Sequence, residues 1–159
     1  MTEQYVTQYY ETDHDRLDEL FRSFQKLKRT DFPKAKEFFK EFKFGLQRHI
    51  IWEEEILFPL FEQRTGMYGN GPTHIMRSEH RQIGMHLEAI HEKVKLNDPE
   101  SDYDEQMMLN ILAMHNQKEV HILYPAIDRS LSAGERAKVF ATMKEMPEER
   151  FKNCCKNAQ

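Results

Sequence analysis

Glycine and proline are scarce in this chain, with six of each among 159 residues. Both residues disfavour helix interiors, so their scarcity favours long helices. No segment shows the apolar and polar alternation that marks a half-buried strand. We therefore predict an all-α protein. A chain of this length suggests one domain, residues 1–159, with one sizeable core.

Cysteine is limited to two adjacent residues near the C-terminus, Cys154 and Cys155. This arrangement excludes a disulfide framework and makes a reducing cytoplasm the default compartment. No apolar run approaches the roughly 18 residues of a membrane helix, and the start of the chain is too polar for a signal peptide. The formal charge of −4 gives no reason to expect nucleic acid. We expect a soluble cytoplasmic protein that binds neither a membrane nor nucleic acid.

Apolar residues recur at spacings of three and four along four segments, which predicts four helices. Their apolar stripes cover residues 10–27, 38–60, 76–94 and 108–126. Loops are expected at 65–72 and 97–102, where turn residues cluster. Four such helices with short connections predict an up-down-up-down four-helix bundle over about residues 7–131. A short extra helix, roughly 133–146, is expected in the C-terminal extension 132–159.

Several residues are expected to begin or interrupt these helices. Thr7 and Asp31 are suited to be N-caps, and Pro33 suits the first turn of the second helix. Pro59 and Pro125 fall within or near the ends of predicted helices, where we expect a kink or a stop.

The second and fourth helices contain two copies of one sequence, RHIIWEEEILFPLFE and MHNQKEVHILYPAID. An offset of 66 residues pairs His49 with His115 and Glu53 with Glu119. The chain therefore contains two copies of one helical hairpin, and each copy carries an H-x-x-x-E pair.

The same offset also relates the first helix to the third. It pairs His14 with His80, and the acidic Asp13 with Glu79. Each hairpin thus contributes one further histidine to the repeated pattern.

Six polar residues of the repeat lie on the apolar stripes and would converge in the core: His14, His49, Glu53, His80, His115 and Glu119. A buried carboxylate needs a cation, and the stripes contain neither lysine nor arginine. Neutral imidazole offers a lone pair to a metal, and side chains four residues apart on a helix point at one centre. The repeat predicts two metals, one per hairpin, with the carboxylates between them. Nitrogen and oxygen ligands without sulfur favour iron or manganese over a closed structural zinc site.

The alternative interpretation is a set of hydrogen-bonded core residues. A single buried histidine usually has that role, and an isolated H-x-x-x-E pair is common on helices. Six matching positions in an internal repeat favour the metal site.

Other polar residues fall outside the repeated pattern. Glu54 follows Glu53, and we expect it on a solvated face rather than as a third carboxylate ligand. Tyr10 stands one turn before His14, and we expect it to close the core rather than to act as a donor or an electron relay. Surface or flanking positions are expected for four histidines: His74, His86, His91 and His121.

The chain resembles the hemerythrin-like, or HHE cation-binding, family over roughly residues 7–129. The segments that carry the resemblance are TDHDRLDELF, RHIIWEEEILFP, SEHRQIGMHL and HNQKEVHILYP. The resemblance implies a four-helix bundle around a non-haem di-iron centre with bridging carboxylates and an oxo or hydroxo bridge. Carried over by position, it implies these ligands: His14 and His49 on one iron, His80 and His115 on the other, and Glu53 and Glu119 as bridges.

The chain departs from the oxygen-carrying hemerythrins, which have H-x-x-x-H on the third helix and H-x-x-x-x-D on the fourth. Here Gly84 stands four residues after His80, and Val120 stands five residues after His115. The set of four histidines and two glutamates is more similar to the hemerythrin-like domains of bacterial iron-centre repair proteins and of the eukaryotic iron-sensing F-box protein.

This resemblance implies a di-iron protein that reacts with dioxygen, peroxide or nitric oxide, in stress defence or iron-centre repair. The alternative is a protein for iron or oxygen sensing, or for reversible oxygen binding, without turnover. Turnover of peroxide or nitric oxide would distinguish an enzyme from these alternatives.

Overall fold

The computed structural model describes residues 4–152, and these contain no β-strand, which confirms the all-α prediction. Two π-helical turns lie at Glu53–Leu57 and Glu119–Leu123, each between two α-helices, and a 3-10 helix lies at Glu148–Lys152. Cys154 and Cys155 lie outside the described residues. The α-helices are α1 Val6–Leu27, α2 Phe32–Trp52, α3 Phe58–Thr65, α4 Gly71–Lys95, α5 Asp102–Lys118, α6 Tyr124–Ser130 and α7 Ala133–Glu145.

The core consists of two apolar clusters with a polar layer between them. Helix α1 packs along α2, and α4 packs along α5. On α1, His14 lies between Tyr10 of the first cluster and Leu17 of the second. The order is the same around His80 on α4, and it is reversed around His49 on α2 and His115 on α5, where a residue of the second cluster precedes the histidine. The predicted site residues therefore share one level of the fold.

Each π turn shifts the buried stripe by one residue. Sequence periodicity placed Ile122 on the stripe, but its side chain is 59% exposed, whereas Leu123 is 1% exposed. The Tyr124 N–H donates to the Glu119 carbonyl, five residues back rather than four. The extra residue in the turn rotates every later position. The first hairpin behaves in the same way, because Leu57 is fully buried.

The two prolines directly follow these turns. Pro59 and Pro125 each lie in the first turn of the next α-helix. Proline lacks an N–H, and its ring clashes with the carbonyl four residues back in a regular α-helix. The expected interruption therefore takes the form of a wider turn before the proline.

The predicted helix caps are partly correct. Asp31 caps α2 by accepting a backbone N–H of the first turn at 3.3 Å. Thr7 is not the N-cap of α1, because the helix begins at Val6 and Tyr5 holds the cap position. Asp128 of α6 instead accepts the N–H groups of Val6 at 2.8 Å and Thr7 at 3.0 Å. A carboxylate from another helix thus satisfies donors that would otherwise lack a partner.

The predicted C-terminal helix is present as α7. Ser132 and Glu135 form a capping box at its start, which explains why it begins there. Phe140 of α7 packs against Tyr9, with ring centroids 5.1 Å apart. Within residues 4–152, no helix has both the length and the apolar character to cross a membrane.

Candidate metal centre

The structure brings all six predicted site residues into one buried cluster. Glu53 and Glu119 have no exposed surface. Ligand atoms within each of two overlapping groups lie within 4.8 Å of one another. The first group contains Glu53, His80, His115 and Glu119, and the second contains His14, His49 and Glu119.

Glu119 lies between the two hairpins. Its Oε1 is 3.2 Å from Nε2 of His14, and its Oε2 is 3.2 Å from Nε2 of His115. One carboxylate oxygen thus faces each half of the cluster. This is the arrangement that a carboxylate shared by two cations requires.

Glu53 also faces both hairpins. Its Oε1 is 3.3 Å from Nε2 of His80 and 3.5 Å from Nε2 of His49. The two carboxylates therefore occupy similar positions in the repeat, although only Glu119 belongs to both groups.

Unsatisfied buried atoms indicate that the cluster is built for a cation. Four such atoms, without a hydrogen-bond partner in the described part of the chain, belong to the six residues: His14 Nδ1, His80 Nε2, Glu53 Oε1 and Glu119 Oε2. Leaving buried polar groups unpaired is costly. Three of these atoms face the centre, where imidazole nitrogen and carboxylate oxygen suit iron or manganese. The residues present therefore fit a pair of metal ions.

Outer carboxylates hold three of the four imidazoles. Each contact joins a ring Nδ1 to a carboxylate oxygen: His49 to Asp13 at 2.9 Å, His80 to Glu54 at 2.6 Å and His115 to Glu79 at 2.9 Å. Such partners fix the orientation of a metal-ligating histidine and leave its other nitrogen free for the metal.

Glu54 lies partly on a solvated face, with its side chain 26% exposed, and it belongs to neither ligand group. Its carboxylate contacts His80 from outside the cluster. Glu54 is the second residue of the first π turn, so regular α-helical spacing could not predict this contact. His121 is exposed as expected, and so is Glu55, its equivalent in the first hairpin.

Comparison with known proteins agrees with this geometry. The sequence matches the family described as Hemerythrin HHE cation binding domain over residues 6–127. The chain belongs to this family. Similar curated proteins are the iron-sulfur cluster repair protein YtfE of Edwardsiella ictaluri (strain 93-146), 37% identical over 92 residues, and YtfE of Enterobacter sp. (strain 638), 31% identical over 91 residues. Each match covers 54% of this chain and 41% of the relative, so the chain spans about two-fifths of the relatives' length. No solved structure matched the chain.

Tyr124 also belongs to the site of this hemerythrin-family chain, although it is not among the six residues predicted from the sequence. The Tyr124 hydroxyl lies 2.8 Å from Glu53 Oε2 and 2.9 Å from Glu119 Oε1, and donates its one proton to either carboxylate. The equivalent residue in the first hairpin is Phe58, whose ring stacks on His80 with centroids 5.8 Å apart. The signal was the change from phenylalanine to tyrosine between two otherwise matching segments. Tyr10, in contrast, lies fully buried in the core as expected.

The metal-free cluster is a strongly coupled set of charges. Burial and the neighbouring Glu119 raise the pKa of Glu53 well above its usual value. Burial also opposes ionisation of Glu119, but His115 and several hydrogen bonds hold the pKa of Glu119 well below its usual value. Burial alone would lower the pKa of His115, yet Glu119 and Glu79 raise it to about 9. Without metal, the neutral form of Glu53 is therefore favoured, and His115, with a pKa of about 9, is protonated at neutral pH.

A small cavity adjoins the cluster. It has room of about 20 Å³ for water-sized molecules, which suffices for one water. All four imidazoles and Glu119 line it, with apolar walls from the helices around it. Asp18 and Asn116 also line the cavity, and Asp18 stands four residues after His14, the position equivalent to Gly84 in the other hairpin. A space of this size fits one water-sized molecule.

Proposed function

We propose that this hemerythrin-like chain binds two iron ions and uses them to react with dioxygen, peroxide or nitric oxide in stress defence or iron-centre repair. The observation that carries the proposal is the pair of buried ligand groups that share Glu119. The proposed ligands are those expected from the sequence: His14 and His49 on one ion, His80 and His115 on the other, and Glu53 and Glu119 as bridges.

We make two further proposals, about the arrangement of the helices and about the cellular compartment. We propose that the four long helical segments form the up-down-up-down bundle of residues 7–131, within a single domain with the extension 132–159. The absence of a disulfide framework in the sequence supports the cytoplasm as the compartment.

Charge supports the proposal of a metal pair. The six residues can supply two negative charges, both on fully buried carboxylates. In the metal-free cluster, the raised pKa values of Glu53 and His115 favour protons that compensate part of that charge. Two divalent ions would replace these protons and would bind the lone pairs of the buried ligand atoms that lack a hydrogen-bond partner. Manganese meets the same ligand preferences, so it is the alternative metal.

A ferrous pair, when bound, supplies two electrons to a small oxidant. The chain's own contribution is to bind and confine that oxidant. Apolar side chains such as Leu17 and Ile83 line the cavity and limit the water that reaches it. The Tyr124 hydroxyl, already hydrogen-bonded to the carboxylates, is an uncharged proton donor in direct contact with them.

The similarity to YtfE supports iron-centre repair as the setting. Those relatives are named iron-sulfur cluster repair proteins, and the matched segment contains half of this chain. Because the chain spans about two-fifths of their length, the proposal concerns the chemistry of the metal domain alone.

The test is reactivity of the reduced, iron-loaded full chain. Absorption spectra and consumption of peroxide and nitric oxide should be compared with those of a His49→Ala/His115→Ala variant, which lacks one ligand per metal. We expect catalytic consumption by the native chain and little by the variant. Equal consumption by the two proteins would contradict the proposal. An oxygen adduct that is released under vacuum, without turnover, would instead establish the reversible oxygen-binding alternative.

A further inference from the structure

The two halves of the metal centre are not equally supported. Of the second pair, His80 and His115, both rings are held from outside by a carboxylate. Of the first pair, only His49 has such a partner. The Nδ1 atom of His14 is buried, and nothing within residues 4–152 hydrogen-bonds to it. The first pair therefore contains one ring, that of His14, whose outer nitrogen has no hydrogen-bond partner among residues 4–152.

The missing contact has a cause in the sequence. His80 is contacted by Glu54, the second residue of the first π turn. The 66-residue repeat places Val120 at the second position of the other π turn. Valine has no hydrogen-bonding side chain, and Val120 packs against the first apolar cluster. One substitution between the two repeats thus leaves His14 without the partner that His80 has.

The two ligand groups also differ in their number of carboxylates, and the group at His80 and His115 again has more. The group around His80 and His115 contains both carboxylates, whereas the group around His14 contains Glu119 alone. The closely spaced set therefore holds three ligand atoms at the first position and four at the second, and Glu53, as a proposed bridge, approaches the first position only through its Oε1, 3.5 Å from Nε2 of His49. This difference does not depend on the outer contacts.

We propose that the two metal positions are unequal, and that the position at His14 and His49 exchanges its metal faster. The inference rests on the proposed two-metal function. Loss of an outer partner of a ligating histidine typically changes metal affinity by 10–100-fold. The ion at His80 and His115 is then the resident one, and the position at His14 is where iron is lost and replaced.

Release of ferrous iron from the loaded full chain into excess coloured chelator, without oxygen, tests this inference. We expect one equivalent to leave fast and one slowly, with rates at least about ten-fold apart. The His14→Ala variant should retain only the slow equivalent. Release of both equivalents in one phase, or a His14→Ala variant that keeps only the fast one, overturns the inference and leaves the two-metal function intact. A native chain that binds fewer than two irons overturns both.

Substitutions at Glu54 and Val120 test whether the outer carboxylate causes the difference between the two release rates. Glu54→Val should accelerate the slow phase until both irons leave together, and Glu54→Gln, which keeps an acceptor oxygen, should restore most of the slow phase. Val120→Glu should slow the fast phase several-fold. Val120→Leu changes size without adding an acceptor and should leave both phases unchanged.

Circular dichroism and melting temperature show whether each variant folds. If Val120→Glu does not fold, Glu54→Val decides the question alone. A Glu54→Val slow phase equal to that of the native chain overturns the role of the outer carboxylate.

Discussion

Protons should compete with metal for His115, and pH is the perturbation that shows it. The pKa of this imidazole in the metal-free fold is about 9, against an ordinary value of 6.5. At pH 7, displacing its proton costs about 2.7 kcal/mol, which corresponds to about a 100-fold loss of apparent affinity. The cost falls to almost nothing near pH 9. Apparent affinity should therefore rise about ten-fold per pH unit between pH 7 and 9, and more steeply where Glu53 also releases a proton.

Titration with manganese(II) against a chromophoric chelator, corrected for the chelator's own protonation, measures this slope from pH 6 to 9. Glu79→Gln is the informative variant, because Glu79 helps to raise the pKa of His115. It should flatten the slope between pH 7 and 9, even though it weakens binding overall. A native affinity that does not change across that range would refute the reasoning.

The same proton affects the stability of the metal-free fold. Because the folded pKa of His115 lies above its unfolded value, its contribution is fully present below pH 6.5 and is lost as pH rises through about 9. The difference corresponds to roughly 3 kcal/mol. Chemical denaturation should therefore show the metal-free protein losing stability from pH 7 to 9, while the metal-loaded protein, whose His115 is a neutral imidazole at every pH in this range, does not.

Three further perturbations test other parts of the account. Glu53→Ala and Glu119→Ala should each deplete both metals in metal analysis, because a bridge touches both, and loss of one metal alone would argue against bridging. Chelation should lower the melting temperature by about 10 °C, if bound metal contributes roughly 4 kcal/mol; an unchanged melting temperature would mean that the six residues do not bind metal together. Leu123→Ala should cost about 2–5 kcal/mol of unfolding free energy and the matched Ile122→Ala within about 0.5, whereas the reverse order would contradict the one-residue shift at the π turn.

Helix periodicity predicted the fold class and most helix ends, because each α-helix buries residues at a regular spacing. It failed at the two π turns. Each turn adds one residue, so Leu123 rather than Ile122 faces the core. The prolines marked where regularity would end, but a pattern that assumes 3.6 residues per turn has no means of predicting a wider turn.

The internal repeat predicted which six residues meet, because identical residues at equivalent positions of two hairpins face one centre. It was less informative where the copies differ. Tyr124 and Val120 each align with a residue of a different type in the other copy of the repeat. The roles of both depend on contacts between helices. The contact of Glu54 with His80 was not predicted for a related reason, since His80 belongs to another helix and Glu54 itself lies in a π turn.

The number of iron atoms per chain tests the central claim most directly. The measurement is elemental analysis of the full chain, made with adequate iron, beside a variant with alanine at all four ligand histidines. We predict about two irons in the native chain and almost none in the variant. One iron or fewer in the native chain, or two irons kept by the variant, would contradict the account.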